Sequence, residues 1–230
     1  MRIGNLLAVL AIILLLLAIQ IPHGLPLLWP GIDLLTLGIA YHLNWHQVFG
    51  KTSNGSLPLW SWLLFGPLHI YTNIVWHLFR QTSREHPFNS VTETLIIGRR
   101  LLPDEMEVEY DNIVDLTAEF SEPASIRHRP SYRSFPILDC GAPTAEQLLV
   151  VVRSLRPGRT YVHCALGHGR TGLFALAVLL EAGVVRSVDD GLRLLQTARP
   201  GIRLNTKQNG CNRQFAELVA SSPELGPSQL

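Results

Sequence analysis

The sequence predicts an α/β fold, with a central parallel or mixed sheet flanked by helices, preceded by a small transmembrane helical bundle. Charge is the first observation behind this. Residues 1–79 hold Arg2, Asp33 and Lys51 as their only Lys, Arg, Asp or Glu, so all but two of nineteen basic and all but one of eighteen acidic residues lie beyond them. Second, short β-branched runs alternate with longer helix-like runs after residue 90. Third, the apolar run Tyr161 to His163 is joined to the apolar run Thr171 to Leu180 by a glycine-containing loop, a strand-loop-helix step. A length of 230 residues allows one sizeable domain plus an appendage. The division predicted is a membrane-spanning region over 1–80, a linker over 81–90, the α/β domain over 91–222 and a tail over 223–230.

Ile3 to Ile21 is an uncharged apolar stretch of nineteen residues. At about 1.5 Å per residue it spans roughly the hydrocarbon thickness of a bilayer. It is longer than the apolar region of a signal peptide, and no small-residue cleavage site follows before Pro22. Leu25 to Leu43 is interrupted by Pro30, Gly31 and Asp33, and Leu57 to Phe79 by Pro67. A carboxylate at a span centre costs roughly 2.5–3.5 kcal/mol unless it faces another helix, so the expectation is two or three spans. Trp29, Trp60, Trp62 and Trp76 suit membrane interfaces and protein-facing surfaces.

Arg80 and Arg84 directly after the last stretch favour a cytoplasmic exit there. The odd set Cys140, Cys164 and Cys211 gives no disulfide framework, and a nucleophilic thiol suits a reducing compartment. The expected location is therefore an integral membrane protein whose α/β domain faces the cytoplasm. The balanced charge of that domain excludes a nucleic-acid-binding composition. His42 and His46 lie one helical turn apart, but two histidines are a weak metal signal, and inter-helix hydrogen bonding is the commoner reason for them.

Within the domain, Thr94 to Gly98 predicts a first strand, Asn112 to Leu116 a second, and Tyr132 to Leu138 a third. Thr144 with Gln147 has capping-box spacing and opens a helix to about Leu155, after which Pro157-Gly158 turns the chain into the strand that ends at Cys164. The next helix ends near Gly183. Ser187 with Asp190 caps another to Arg199, Pro200-Gly201 breaks it, and Thr206 opens the last, to about Ala220.

The loop Cys164-Ala165-Leu166-Gly167-His168-Gly169-Arg170 leaves a strand and enters a helix. Such a loop turns successive backbone N–H groups around a concavity, and the helix N-terminus adds about half a unit of positive charge. A phosphate-sized anion fits it, and the same field favours the Cys164 thiolate as a nucleophile. Arg170 has the planar fork needed to hold two phosphoryl oxygens, Thr171 can donate a hydroxyl hydrogen bond to the departing thiolate, and His163 orders the loop.

This His-Cys, five residues, Arg-Thr pattern resembles the signature of the cysteine-dependent protein tyrosine phosphatase superfamily, and the interior Ala165 to Gly169 looks most like its dual-specificity branch. The resemblance covers roughly residues 90–220. It implies a dual-specificity-phosphatase-like fold and a phosphomonoester hydrolase working through a phosphocysteine intermediate without metal or cofactor. Asp139, where a strand-like run meets Gly and Pro signals, takes the role of general acid on a mobile loop. Gln208 is the position most similar to a water-positioning glutamine.

Phosphorylated protein is the first substrate reading, and a phospholipid headgroup (a phosphoinositide or phosphatidylglycerophosphate) the alternative. The loop carries Ala165, Leu166 and His168 where inositol-lipid relatives commonly carry lysines. A non-catalytic membrane adaptor that binds phosphorylated partners is a third reading, from a different class. Arg127, His128, Arg129 and Arg133 form a basic segment that is either an anion contact or, more commonly, a solvated loop. Cys140, next to Asp139, raises the question of a reversible disulfide to Cys164.

Overall fold

The computed structural model describes residues 3–106 and 108–221; residue 222 and the tail expected over 223–230 lie outside them. Three apolar helices open the chain: α1 (Ile3–Gln20), α2 (Leu28–Leu43) and α3 (Leu59–Thr82). α1 and α2 form an antiparallel hairpin, with Gly4 against the Gly38 carbonyl and Gly31 against Leu15. Its seam is made of small residues seven apart, Gly4, Ala11 and Ala18 on α1 facing Gly31 and Gly38 on α2, all buried. Small residues let helix backbones approach where apolar burial alone supplies little drive.

α3 is kinked at Phe65, two residues before Pro67. In a regular helix Leu68 N–H would bond the Leu64 carbonyl. Here Leu68 N–H donates to Asp33 Oδ2 at 3.0 Å, and Leu64 O accepts from Trp29 Nε1 at 3.0 Å. Asp33 thus faces the neighbouring helix, as its cost in an apolar stretch requires. Among the described residues, α1 is the one helix long and apolar enough to cross a membrane. α2 is 16 residues long, and kinked α3 falls short of the same apolarity, so of the two or three spans expected one is met on length and composition.

The sheet has the order β1-β2-β5-β3-β4, from β1 (Phe88–Ser90), β2 (Leu95–Arg99), β3 (Asn112–Thr117), β4 (Tyr132–Ile137) and β5 (Thr160–Cys164). The last four are parallel and β1 is an antiparallel edge strand, with Phe88 opposite Gly98. β1 lies inside the segment expected to be a linker. Its three residues carry too short a pattern for strand periodicity to register.

Alternation assigns the two faces. Ile97, Val114 and Val162 enter the main core, while Ile96, Ile113 and Tyr161 enter a second cluster with Leu101, Met106 and Tyr110 on the other side. Helices α5 (Ala145–Arg153), α6 (Gly169–Glu181), α7 (Val188–Ala198) and α8 (Thr206–Ser221) cover the first face, and the short α4 (Ala124–Arg127) precedes β4. The capping signals hold: Gln147 N–H donates to Thr144 Oγ1 at 3.2 Å while Thr144 N–H donates to Gln147 Oε1 at 3.1 Å, and Asp190 N–H donates to Ser187 Oγ at 3.1 Å.

β5 is the middle strand, so its C-terminal end opens where strand order departs from chain order, the crevice in which α/β sheets place ligands. α2, α3 and the segment between them pack over this end. Leu37, Phe49 and Phe65 share one apolar cluster with Ala118 and Leu138 of the α/β domain.

Candidate active site

The loop between β5 and α6 is held from outside by its carbonyls. Ala165 O accepts from Trp76 Nε1 at 3.1 Å and from Arg100 N–H at 3.3 Å, Leu166 O from Arg199 Nη2 at 3.0 Å, and Gly167 O from Arg199 Nε at 2.9 Å. Gly167 N–H points at Cys164 Sγ, 3.3 Å away. Gly167 has φ +77, and a Cβ there would meet Gly98 backbone atoms at 2.4 and 2.5 Å, so only glycine closes this turn without displacement. Cys164 is buried at the foot of the loop.

Arg170 is 2 % exposed, and its fork is fixed by Glu119: Nη1 donates to Oε2 at 2.8 Å and Nη2 to Oε1 at 2.8 Å, with Nη1 also donating to Ile137 O at 3.0 Å. Burial acts to raise the Glu119 carboxyl, but the guanidinium outweighs it and holds the group below the ordinary glutamate range. Arg170 Nε is buried without a partner, and Nη2 lies 3.3 Å from Asp139 Oδ1. Nε and the outer side of Nη2 are therefore the donors this arginine offers to an oxyanion.

Asp139, two-thirds exposed, stands across the mouth from Cys164, on the loop after β4. That loop is pinned at several points. His46, from the segment between α2 and α3, has Nδ1 accepting from Leu138 N–H at 3.2 Å and Nε2 on Ala142 O at 2.9 Å. This pair of partners assigns the tautomer, and burial lowers the imidazole's proton affinity, which keeps the ring neutral. Asn44 Nδ2 donates to Ala142 O at 3.1 Å, Asn205 Nδ2 to Cys140 O at 2.9 Å, and Gln208 Nε2 to Gly141 O at 3.2 Å.

The other expected residues sort as follows. His163 is buried and stacked on Tyr161, with ring centroids 5.5 Å apart. Thr171 Oγ1, one residue past Arg170, is buried and uncommitted. His168 lines the cleft, but its Nε2 is 2.7 Å from Glu85, which also pairs with Arg199; it therefore faces away from the anion position. Gln208 is 2 % exposed, and both ends of its amide are committed, Nε2 to Gly141 O on the Asp139 loop and Oε1 to Asn205 N–H at 3.1 Å.

Cys140 does not approach Cys164. Its backbone turns through φ 57, its thiol faces Asp139, and it lines a different cleft beside Asn205 and Lys207. The three cysteines are free. Arg129 and Arg133 bond Ser125 O and Ser154 Oγ on the far side of β4, outside the cleft lining. His46, paired with His42 in the sequence reading, spends both ring nitrogens on the loop that carries Asp139.

Sequence reasoning missed Glu119, Arg199, Trp76, His46 and Lys51. Lys51 is buried and reaches Asp115 Oδ2 at 2.5 Å, Thr117 O at 2.7 Å and Thr117 Oγ1 at 2.9 Å. Asp115, Glu122 and His163 lie close enough to suggest a cation site, but Lys51 already faces Asp115, and Arg100 faces Glu122 at 2.5 Å. The one sequence signal was Lys51 itself, a lone lysine among apolar residues.

The cleft above Cys164 has a volume of about 450 Å³. One wall is the loop with Glu119 and Asp139; the other is Leu37 and Tyr41 of α2, Phe49, and Leu68, Tyr71, Thr72, Val75 and Trp76 of α3. A buried sulfur facing the Gly167 amide at a helix N-terminus, with a charge-fixed guanidinium and a carboxyl at the rim, can bind a tetrahedral dianion and exchange a proton beside it.

Comparison with protein-family models and with curated proteins gives no match. Solved structures do match. PTPMT1 in complex with PI(5)P aligns over 60 % of this chain and 99 % of its own, at 14 % identity and TM-score 0.52. Tk-PTP in the active form aligns over 57 % and 97 %, at 24 % identity and TM-score 0.50. A mouse dual-specificity phosphatase complexed with zinc tungstate aligns over 62 % and 95 %, at 17 % identity and TM-score 0.51. The chain has the fold of the cysteine-dependent phosphatases of the dual-specificity type.

Proposed function

We propose that this protein is a membrane-anchored phosphomonoester phosphatase that works through a cysteinyl-phosphate intermediate on Cys164. The observation that carries the reading is the Arg170 fork, locked by Glu119 with Nε left free, above a sulfur that receives an amide hydrogen. A binding-only adaptor needs an anion cradle but has no use for a sulfur at its foot. α1 supplies the anchor, and the domain 91–222 faces the cytoplasm, where thiols stay reduced.

In the first step the phosphoryl oxygens take the loop amides and Arg170 Nε and Nη2, displacing Asp139 from the arginine. The Cys164 thiolate attacks phosphorus, the ester P–O bond breaks, and Asp139 in its acid form gives its proton to the leaving oxygen. Water then attacks phosphorus and returns a proton to Asp139, the P–S bond breaks, and inorganic phosphate leaves. Thr171 Oγ1, one residue past Arg170 and uncommitted, stabilises the departing thiolate. His163 orders the loop from beneath. Gln208 positions the acid loop from below, and a direct role in placing water would require it to release Gly141 O. No cofactor takes part in these steps.

The dual-specificity fold supports phosphorylated protein as substrate. A phospholipid headgroup is the second reading, favoured by the α2 and α3 wall of the cleft. The test is hydrolysis of an aryl phosphate by the full chain in detergent, inhibited by vanadate and abolished in Cys164→Ser. Asp139→Asn is expected to lose about 10²–10⁴-fold with an alkyl phosphate and much less with an activated aryl phosphate. Equal losses with both would remove Asp139 from its role as acid.

A further inference from the structure

The wall of the cleft opposite the phosphate loop specifies what carries the phosphate. It is formed by the N-terminal helices, and its side chains are chiefly carbon: Leu37, Phe49, Leu68 and Val75, with the hydroxyls of Tyr41 and Thr72 between them. The charged lining residues, Glu119, Asp139, His168 and Arg170, all lie at the loop end. A phosphopeptide bound here would set its flanking amides against carbon, without partners, at a cost for each buried polar group. An amphiphile has the matching polarity, a phosphate at the loop, hydroxyl or ester oxygens at mid-depth, and hydrocarbon beyond.

The apolar wall is also continuous with the outside of the helices. Tyr71, Val75 and Leu78 follow one stripe of α3 at i, i+4 and i+7. Tyr71 and Val75 line the cleft, yet they are 63 % and 41 % exposed, and Leu78 beyond them is 56 % exposed. Ile70 and Ile74 extend the exposed apolar surface beside this stripe. A chain lying along it passes from the catalytic cleft to the outer surface of α3 without crossing a charged residue among those described. With Arg170 engaged on one phosphate and His168 paired to Glu85, no cation among the described lining residues remains for a second phosphate.

We infer that the site takes a glycerolipid bearing a single terminal phosphomonoester, with its acyl chain in a subsite formed by α2 and α3. This rests on the phosphatase reading and names its substrate class. The full chain in detergent micelles is assayed for phosphate release from glycerol 3-phosphate and from phosphatidic acids of four, eight and sixteen carbons per chain. A soluble phosphotyrosyl peptide and an aryl phosphate are run beside them. kcat/KM is expected to rise about 100-fold or more from glycerol 3-phosphate to the long-chain lipid, the gain of burying a few methylenes.

Micelle partitioning alone also favours long chains, so the wall variant Val75→Asp decides. It is anchored as the parent chain is, and its ratio of long-chain lipid to glycerol 3-phosphate is expected to fall at least tenfold. An unchanged ratio in Val75→Asp, or a kcat/KM for the phosphopeptide above that for every lipid, overturns the inference while aryl phosphate turnover keeps the phosphatase reading intact. Absence of aryl phosphate turnover by the parent chain rejects both.

Discussion

Glu119 decides what Arg170 is for. Without it the guanidinium would be a mobile cation over the loop; with it, two of the five N–H donors are spent on a buried carboxylate and the plane of the fork is set before any anion arrives. Glu119→Gln keeps the shape but removes the charge that holds the fork. Its kcat on an aryl phosphate is expected to fall roughly 10- to 100-fold, the usual cost of a misplaced catalytic group, with the phosphate loop otherwise folded. A kcat within twofold of the parent, measured at saturating substrate, would mean that Arg170 is positioned by the loop alone. Neither the strand pattern nor the spacing marked Glu119, because a glutamate two residues past a strand looks in sequence like any solvated turn.

At the scale of elements, the loop carrying Asp139, the proposed acid, is fastened by a segment from outside the α/β domain. His46 grips it at Leu138 and Ala142, on both sides of Asp139. His46→Ala removes both bonds, each worth about 1 kcal/mol. Amide exchange at Leu138 is expected to quicken about tenfold, and turnover of an alkyl phosphate to fall more than that of an activated aryl phosphate, since only the former needs the acid in place. The end of α3 is tied down in a similar way: Glu105 receives Arg80 Nη2 at 3.1 Å and Arg99 Nη2 at 2.8 Å.

Burial opposes ionisation of Glu105, but the hydrogen bonds from Arg99, Leu102 N–H and Arg80 hold its pKa down at about 2 against an ordinary 4.5. A depressed carboxylate stabilises the fold above its unfolded pKa and loses that contribution as pH falls through the folded value. The stability difference between the parent and Glu105→Gln, measured by urea unfolding, is therefore expected in full at pH 7 and to shrink between pH 4.5 and about 2. A difference independent of pH would place the effect in packing.

For the molecule as a whole, the N-terminal helices are more than a tether. Lys51 and Asp115 are a buried pair with side chains 1 % and 0 % exposed, joining the α2–α3 segment to the strand beside β5. Tyr132 Oη donates to the same carboxylate at 2.7 Å. Burial works against the Asp115 charge, yet Lys51 and its hydrogen-bonding neighbours hold the group ionised, well below the usual range. Lys51→Met leaves that carboxylate in the interior without its cation and is expected to cost about 3–5 kcal/mol, read from denaturant unfolding of the full chain. Deleting residues 1–80 would remove Lys51, His46, Trp76 and one wall of the cleft together. Substantial loss of turnover is expected, where a simple anchor would allow nearly full activity on a soluble substrate.

The α/β domain and the phosphate loop were legible in the chain because their signals are local. A strand, a glycine turn, a thiol and an arginine six residues apart, and two capping pairs each act within a few residues, and backbone sterics turn such patterns into geometry with little outside help. The tertiary structure decided what those groups face. It brought Glu119 to Arg170, His46 to the acid loop, Lys51 to Asp115 and α3 to the mouth of the cleft, and it turned Cys140 and His168 away from the sulfur. These pairings join residues far apart along the chain, and a buried charge finds its partner only once the apolar surfaces around both have closed.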